Sequence, residues 1–127
     1  MTVIVTDAGF AADTWSGDFD GTVALDLASD VDPASVELTD EITMIRIQFP
    51  SFADGRGFTI GRVLRLRGYK GQLRAQGHVL ADQYAMARRA GFDEVEIDDD
   101  LAARQPADQW VFRADWQAHN YQSRLRG

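Results

Sequence analysis

Two glycines 23 residues apart constrain this chain more than any other feature: Arg67-Gly68-Tyr69 and Ala90-Gly91-Phe92 each close a segment of helical period and lead into a short apolar run. A glycine there supplies the left-handed turn that ends a helix, and the aromatic after it folds back on the last turn. The spacing is about that of one helix plus one strand with short connections. It predicts two successive αβ units of one parallel sheet, and right-handed crossovers put their helices on one face.

The remaining periodicity fits that repeat. One helical segment runs from Thr59, with Ile60, Val63 and Leu64 opposite Arg62 and Arg65; the other spans 79–90, with Leu80, Tyr84 and Ala87 on one side. Strands are predicted at 2–6, 22–28, 44–49, 72–76 and 94–97, the first as an edge or hairpin strand. Pro50 ends the third, because proline cannot donate to a ladder. Asp32 and Pro33 read as cap and first residue of a short helix reaching about residue 41. A polar helix near 101–104 is interrupted by Pro106. The expected fold is one compact α/β domain over 1–127, with a mainly parallel sheet of about four or five strands and flanking helices.

A chain of 127 residues can bury a core without staples. The absence of cysteine excludes disulfides, thiolate nucleophiles and sulfur-built metal sites. No window has the length and apolarity of a membrane span and no leader is visible, so no membrane partner and a cytoplasmic location are expected. The net charge is −7, yet between Arg56 and Arg89 eight cations face Asp82 alone. That basic third suggests an anion site or a surface for an acidic partner, while the overall acidity and the lack of a reading motif argue against nucleic acid. Trp110, Phe112, Trp116 and Tyr121 make the 105–127 segment aromatic, and they are expected to pack on the domain or on a second copy in a homodimer.

In parallel α/β sheets, functional groups collect in loops leaving the carboxyl ends of strands. The first such loop holds Asp54-Gly55-Arg56, where glycine admits a close ligand, Arg56 forks onto an oxyanion and the following helix start adds donors. The alternative is an Asp-Gly turn with a solvated arginine. The second holds Gln76, His78 and Asp82: His78 exchanges a proton near neutrality with Asp82 as orienting carboxylate, or the two serve as helix entry and dipole complement. Arg74, inside a strand, needs a carboxylate such as Asp54 or Asp98, or an opening to a ligand. Asp98-Asp99-Asp100 reads as a helix cap in preference to a cation site, and no metal set is indicated. Arg62, Arg65, Arg88 and Arg89 read as a wet outer helix face. There is no Walker loop and no dinucleotide, flavin or haem signature, so no cofactor is indicated.

The ordered runs Phe49-Pro-Ser-Phe-Ala-Asp-Gly-Arg-Gly57, Arg65-Leu-Arg-Gly-Tyr-Lys-Gly-Gln-Leu-Arg-Ala75, Gly77-His-Val-Leu-Ala-Asp-Gln83 and Arg89-Ala-Gly-Phe-Asp93 resemble a bacterial family of unknown function. Its members are usually described as probable oxidoreductases involved in sulfite reduction, because they tend to be encoded beside sulfite or nitrite reductase genes. The likeness covers roughly residues 22–98, with Tyr121-Gln122 matching a C-terminal Tyr-Gln. Many members carry a cysteine where this chain has Ala90, so the resemblance implies no cysteine redox step here. It implies an auxiliary protein of assimilatory sulfite reduction that binds an oxyanion or the reductase itself, a sulfite or nitrite reductase. On that reading Arg56 and Arg74 contact the anion with Gly55 and Gln76 around it, Asp54 in the same loop orients an arginine, and His78 with Asp82 supplies hydrogen bonds or a proton. An oxidoreductase of the same pathway with a diffusible cofactor, and a non-catalytic interaction module, are the alternatives.

Overall fold

The computed structural model describes residues 2–15 and 17–112. Six strands, β1 Thr2–Thr6, β2 Gly9–Ala11, β3 Ala24–Leu27, β4 Met44–Phe49, β5 Gln72–Gly77 and β6 Glu94–Asp98, form one sheet in the order β2-β1-β6-β5-β4-β3. Strands β3 to β6 are parallel neighbours in chain order, and β1 lies antiparallel between β6 and β2. The expected α/β class holds, with six strands where four or five were expected. The extra one is β2, three residues too short to show a period. The first strand is a hairpin strand set inside the sheet, not at its edge.

Helices α1 Arg56–Leu66, α2 Tyr84–Ala90, α3 Asp99–Arg104 and α4 Ala107–Phe112 complete the chain. Because successive parallel strands step along the sheet in one direction, their helices return on one side, and α1 packs on α2. Ile45, Ile47 and Phe49 of β4, Leu73 and Ala75 of β5, and Val95 and Ile97 of β6 join Ile60, Leu64, Tyr84, Ala87, Leu101 and Trp110 in one buried cluster. The strand residues between them, Arg46, Gln48, Arg74, Gln76, Glu94 and Glu96, have the opposite parity and fall on the other face. Parallel sheets are ordinarily apolar on both faces. This one alternates because its second face is crossed by the segment between β2 and β3: Asp13 pairs with Arg74, and the Phe19 ring lies 4.0 Å from the Arg46 guanidinium carbon.

Both glycine exits form as the spacing predicts. Gly68 and Gly91 have φ of +98° and +108°, and the aromatic after each donates to the carbonyl five residues back, Tyr69 N–H to Leu64 O at 3.1 Å and Phe92 N–H to Ala87 O at 3.0 Å. The boundaries differ elsewhere. The helix expected over 33–41 is one 3-10 turn, Pro33–Ser35, capped by Asp32 through the Ala34 N–H at 3.0 Å. Val36 is already extended, and Val36 and Leu38 stand two apart, a strand-like spacing. Helix α1 starts three residues before Thr59, at Arg56, and the 79–90 segment divides into a 3-10 turn, Ala81–Gln83, and α2. Of the C-terminal aromatics, Trp110 is fully buried against Tyr84, ring centroids 6.0 Å apart, and its indole donates to Gln105 O at 2.8 Å. Trp116 and Tyr121 lie outside the described residues, as does the homodimer contact expected of that segment.

Two of the arginines expected on a wet helix face are structural. Arg65 donates to the carbonyls of Gly91 (2.9 Å), Tyr69 (3.0 Å) and Gly71 (2.8 Å) and pairs with Asp93 at 2.9 Å. Asp93 also accepts the Leu73 N–H at 2.9 Å, so one side chain ties both glycine exits to the start of β5. Arg88 donates to Phe92 O at 2.6 Å and contacts Asp7 at 3.2 Å; Asp7 in turn accepts the Tyr84 hydroxyl. Arg62 and Arg89 are exposed. The sequence shows helical phase but not that a long side chain at a helix end can fold back over the turn.

Gly57 explains itself by packing. A Cβ there would stand 2.4 Å from the Phe49 ring, itself buried in the core, whereas at Gly55 the nearest atom is 4.0 Å away and φ is an ordinary −90°. Gly57→Ala is therefore expected to lose about 1–3 kcal/mol by overpacking, and Gly55→Ala less than about 0.5 kcal/mol, as read by urea denaturation.

Candidate functional site

The carboxyl ends of β4 and β5 are drawn together by a residue that only glycine fits. Gly77 has φ of +118°, and a Cβ on it would meet Phe49 O at 2.6 Å. With β5 this close, His78 N–H donates to Phe49 O (2.9 Å), and His78 Nδ1–H donates to Pro50 O at 2.7 Å. A carbonyl only accepts, so Nδ1 carries a proton in this bond. Gln83 adds the third tie, Nε2 to Phe52 O at 3.1 Å, while its Oε1 accepts the Leu80 N–H at 2.9 Å.

These bonds fix an aromatic pair on the surface. The His78 and Phe52 rings lie with centroids 4.9 Å apart at 44°, both exposed, Phe52 to 39%. Two residues after Phe52, Asp54 grips Arg56. Its Oδ1 accepts the backbone N–H (3.1 Å) and Nε (3.0 Å), its Oδ2 accepts Nη2 (2.8 Å), and Nη2 also donates to Ser29 Oγ at 3.0 Å. These hydrogen bonds from Arg56, with its charge, hold the Asp54 carboxyl well below the usual carboxylate range and raise the guanidinium in turn. Arg56 is nonetheless 60% exposed. Beside it is a depression of about 310 Å³ bounded by Ser29, Asp30, Val31, Pro33 and Thr59.

The two expected anion-binding arginines are not brought together. Arg74 is 2% exposed and takes Glu94 (Nε, 2.7 Å), Glu96 (Nη1, 3.0 Å) and Asp13 (Nη2, 3.1 Å), not Asp54 or Asp98. Asp98 instead accepts the Leu101 N–H at 2.8 Å and caps α3. Arg74 and Gln76 share a parity that turns them to the face away from α1, whereas Arg56 opens that helix on the other. The Arg74 cluster continues through Glu96 to Arg46 (3.4 Å) and from Arg46 to Asp26 at 2.8 Å, with Gln48 on Asp26 at 2.6 Å. Register produces it, since Asp26 stands opposite Arg46 and Arg74 opposite Glu94. Alternate charges within the predicted strands were the available signal; Asp13, 61 residues from Arg74, gave none.

Nor does Asp82 orient His78 through Nδ1, which Pro50 O occupies; from the Ala81–Gln83 turn it is Gln83 that reaches the first loop. Among the described residues no group of three or more His, Cys, Asp or Glu side chains could hold a metal ion, and no helix is long and apolar enough to cross a membrane.

The carboxyl edge therefore offers a fixed aromatic pair, an exposed arginine paired with Asp54, and a shallow depression. Asp54 and Asp30 already offset the Arg56 charge, which leaves little net attraction for a free oxyanion. No curated protein and no solved structure matches the chain. A family model described as bacterial protein of unknown function (DUF934) matches residues 22–127, from before β3 through every parallel strand and both joined loops, and the chain belongs to that family.

Proposed function

We propose that the protein is an auxiliary protein of assimilatory sulfite reduction that acts by docking on the reductase through its carboxyl edge. The pathway is supported by the resemblance of the 49–57, 65–75, 77–83 and 89–93 runs. One observation carries the mode of action: the exposed Phe52 and His78 rings lie against each other on loops tied by three hydrogen bonds, with exposed Arg56 a few residues away. Exposed aromatics and arginine on a rigid frame have the composition of interface hot spots, since little ordering entropy remains to be lost on binding.

The helix face supports a second reading as an interaction module, because Leu66, one turn after Arg62 on α1, is 77% exposed and Met86 on α2 is 53% exposed. The two separate genetically. In the native host, deletion of the gene is expected to impair growth on sulfate as sole sulfur source. Wild type restores it, and so does Arg62→Glu. The Phe52→Ala/Arg56→Ala double variant does not. Undiminished growth of the deletion strain contradicts the pathway, and rescue by the double variant contradicts the surface.

A further inference from the structure

The sheet ends on one side at β3, which pairs with β4 and with no other described strand. In a parallel pair, alternate residues turn both backbone groups to the partner strand. Val23 O accepts the N–H groups of Thr43 (2.8 Å) and Met44 (3.4 Å), so Leu25 and Leu27 also face β4, while Ala24, Asp26 and Ala28 face out. Turns use two of the outward carbonyls, Ala24 O for the Gly21 N–H (2.9 Å) and Ala28 O for the Val31 N–H (3.3 Å), and Ala24 is fully buried. The N–H and C=O of exposed Asp26 and the N–H of exposed Ala28 remain as an open edge. Beside it lies a groove of about 300 Å³ lined by Leu25, Leu27, Val31, Val36 and Ile42, with Glu37 as its one charged lining residue.

Charge specifies what such an edge accepts. No lysine or arginine precedes Arg46 in the chain. Glu37 in the groove, Asp40 and Glu41 between its lining residues Thr39 and Ile42, and Asp18 and Asp20 ahead of β3 are exposed and form no ion pair among the described residues. The cations that do approach are engaged, Arg46 by Asp26 and Glu96 and Arg67 by the Pro33 carbonyl at 2.7 Å. A second copy of this edge would bring like charges together, a common guard against self-pairing of open strands, whereas a cationic chain is attracted. We infer that β3 accepts an extended basic segment of a partner protein as an added antiparallel strand, with lysine or arginine side chains on the Asp26 side and alternate apolar side chains over the groove. Residues directly opposite share a face, so the residue that exchanges hydrogen bonds with Asp26 is a basic one. Phe52 and His78 follow the carboxyl ends of β4 and β5, and binding at β3 is independent of docking through them.

A heptapeptide of alternating lysine and valine, titrated into 15N-labelled full-length protein, is expected to shift the Asp26 and Ala28 amide resonances saturably. Glu37→Lys should weaken binding about tenfold or more. N-methylation of the lysine amides of the peptide should abolish binding, and N-methylation of the valine amides should leave it within about threefold, because only the lysine set faces β3. Should Glu37→Lys lose the folded spectrum, the two methylated peptides decide. No saturable shift by roughly 1 mM peptide, equal binding of a glutamate–valine peptide, loss of binding on methylation of the valine amides, or pairing of the protein with itself through the same amides would each overturn the assignment.

Discussion

Arg74→Met is expected to destabilise the domain by about 3–5 kcal/mol, because it removes the cation from a buried cluster and leaves its carboxylates unpaired. The guanidinium is the hub of that cluster, bonded at once to Glu94, Glu96 and Asp13. Methionine supplies similar bulk, so the loss reports charge and hydrogen bonding more than a cavity. For a chain of this length the melting temperature falls by roughly 10–20 °C. The deficit is also pH-dependent. Burial raises the Asp13 carboxyl, but the hydrogen bonds from Arg74 and the Trp15 N–H and the charges of Arg74 and Arg46 outweigh it, so its folded pKa lies below the ordinary value. Such a group contributes stability that is present above its unfolded pKa and is lost as pH falls through the folded one. The variant lacks the Arg74 part of that contribution from the start, so the gap between the two proteins should narrow as pH falls through the carboxylate range. Urea titrations between neutral and mildly acid pH test this; a gap that widens toward acid contradicts the assignment.

Arg65→Ala is expected to cost about 3 kcal/mol, since three backbone carbonyls and Asp93 lose a charged donor in a part-buried site. Arg65→Lys keeps a charge near Asp93 but not the fork, and recovers no more than roughly half. Exposed Arg62, one turn earlier on the same helix, should tolerate alanine within about 0.5 kcal/mol. Thermal unfolding of the three variants gives the ranking, and equal effects at 62 and 65 would contradict the keystone role. The same cluster accounts for its glycines: a Cβ on Gly91 would stand 2.5 Å from Arg65 Cγ, and one on Gly71 would stand 2.4 Å from the Tyr69 hydroxyl. Much of the motif that suggests kinship is therefore architecture, placed where the helices end and not where the parallel strands do.

The fold was legible where local chemistry decides it. Gly68 and Gly91 announce their turns, Pro50 marks the end of β4, and alternation along Met44–Phe49 gives both faces of that strand. What local pattern does not contain is partner choice across the sheet. Arg74 finds Asp13 and Glu96 only after the chain has folded over both, and Arg65 looks solvated until the exits of α1 and α2 are set beside it. At the candidate site, the loop at Asp54–Arg56 and the position of His78 follow from strand ends, and Asp54 does hold an arginine. The tie from Gln83 and the exposed ring contact of Phe52 with His78 emerged from geometry alone. The absence of convergence between Arg56 and Arg74 has a simple origin: residue parity on β5 sends Arg74 away from the helix layer that α1 enters.

The docking claim is tested most directly by titrating the native host's purified sulfite reductase with this protein in a calorimeter. Saturable binding is predicted, weakened about tenfold or more by Phe52→Ala and by Arg56→Ala and left within about threefold by Arg62→Glu. No binding, or binding lost only in Arg62→Glu, would contradict it.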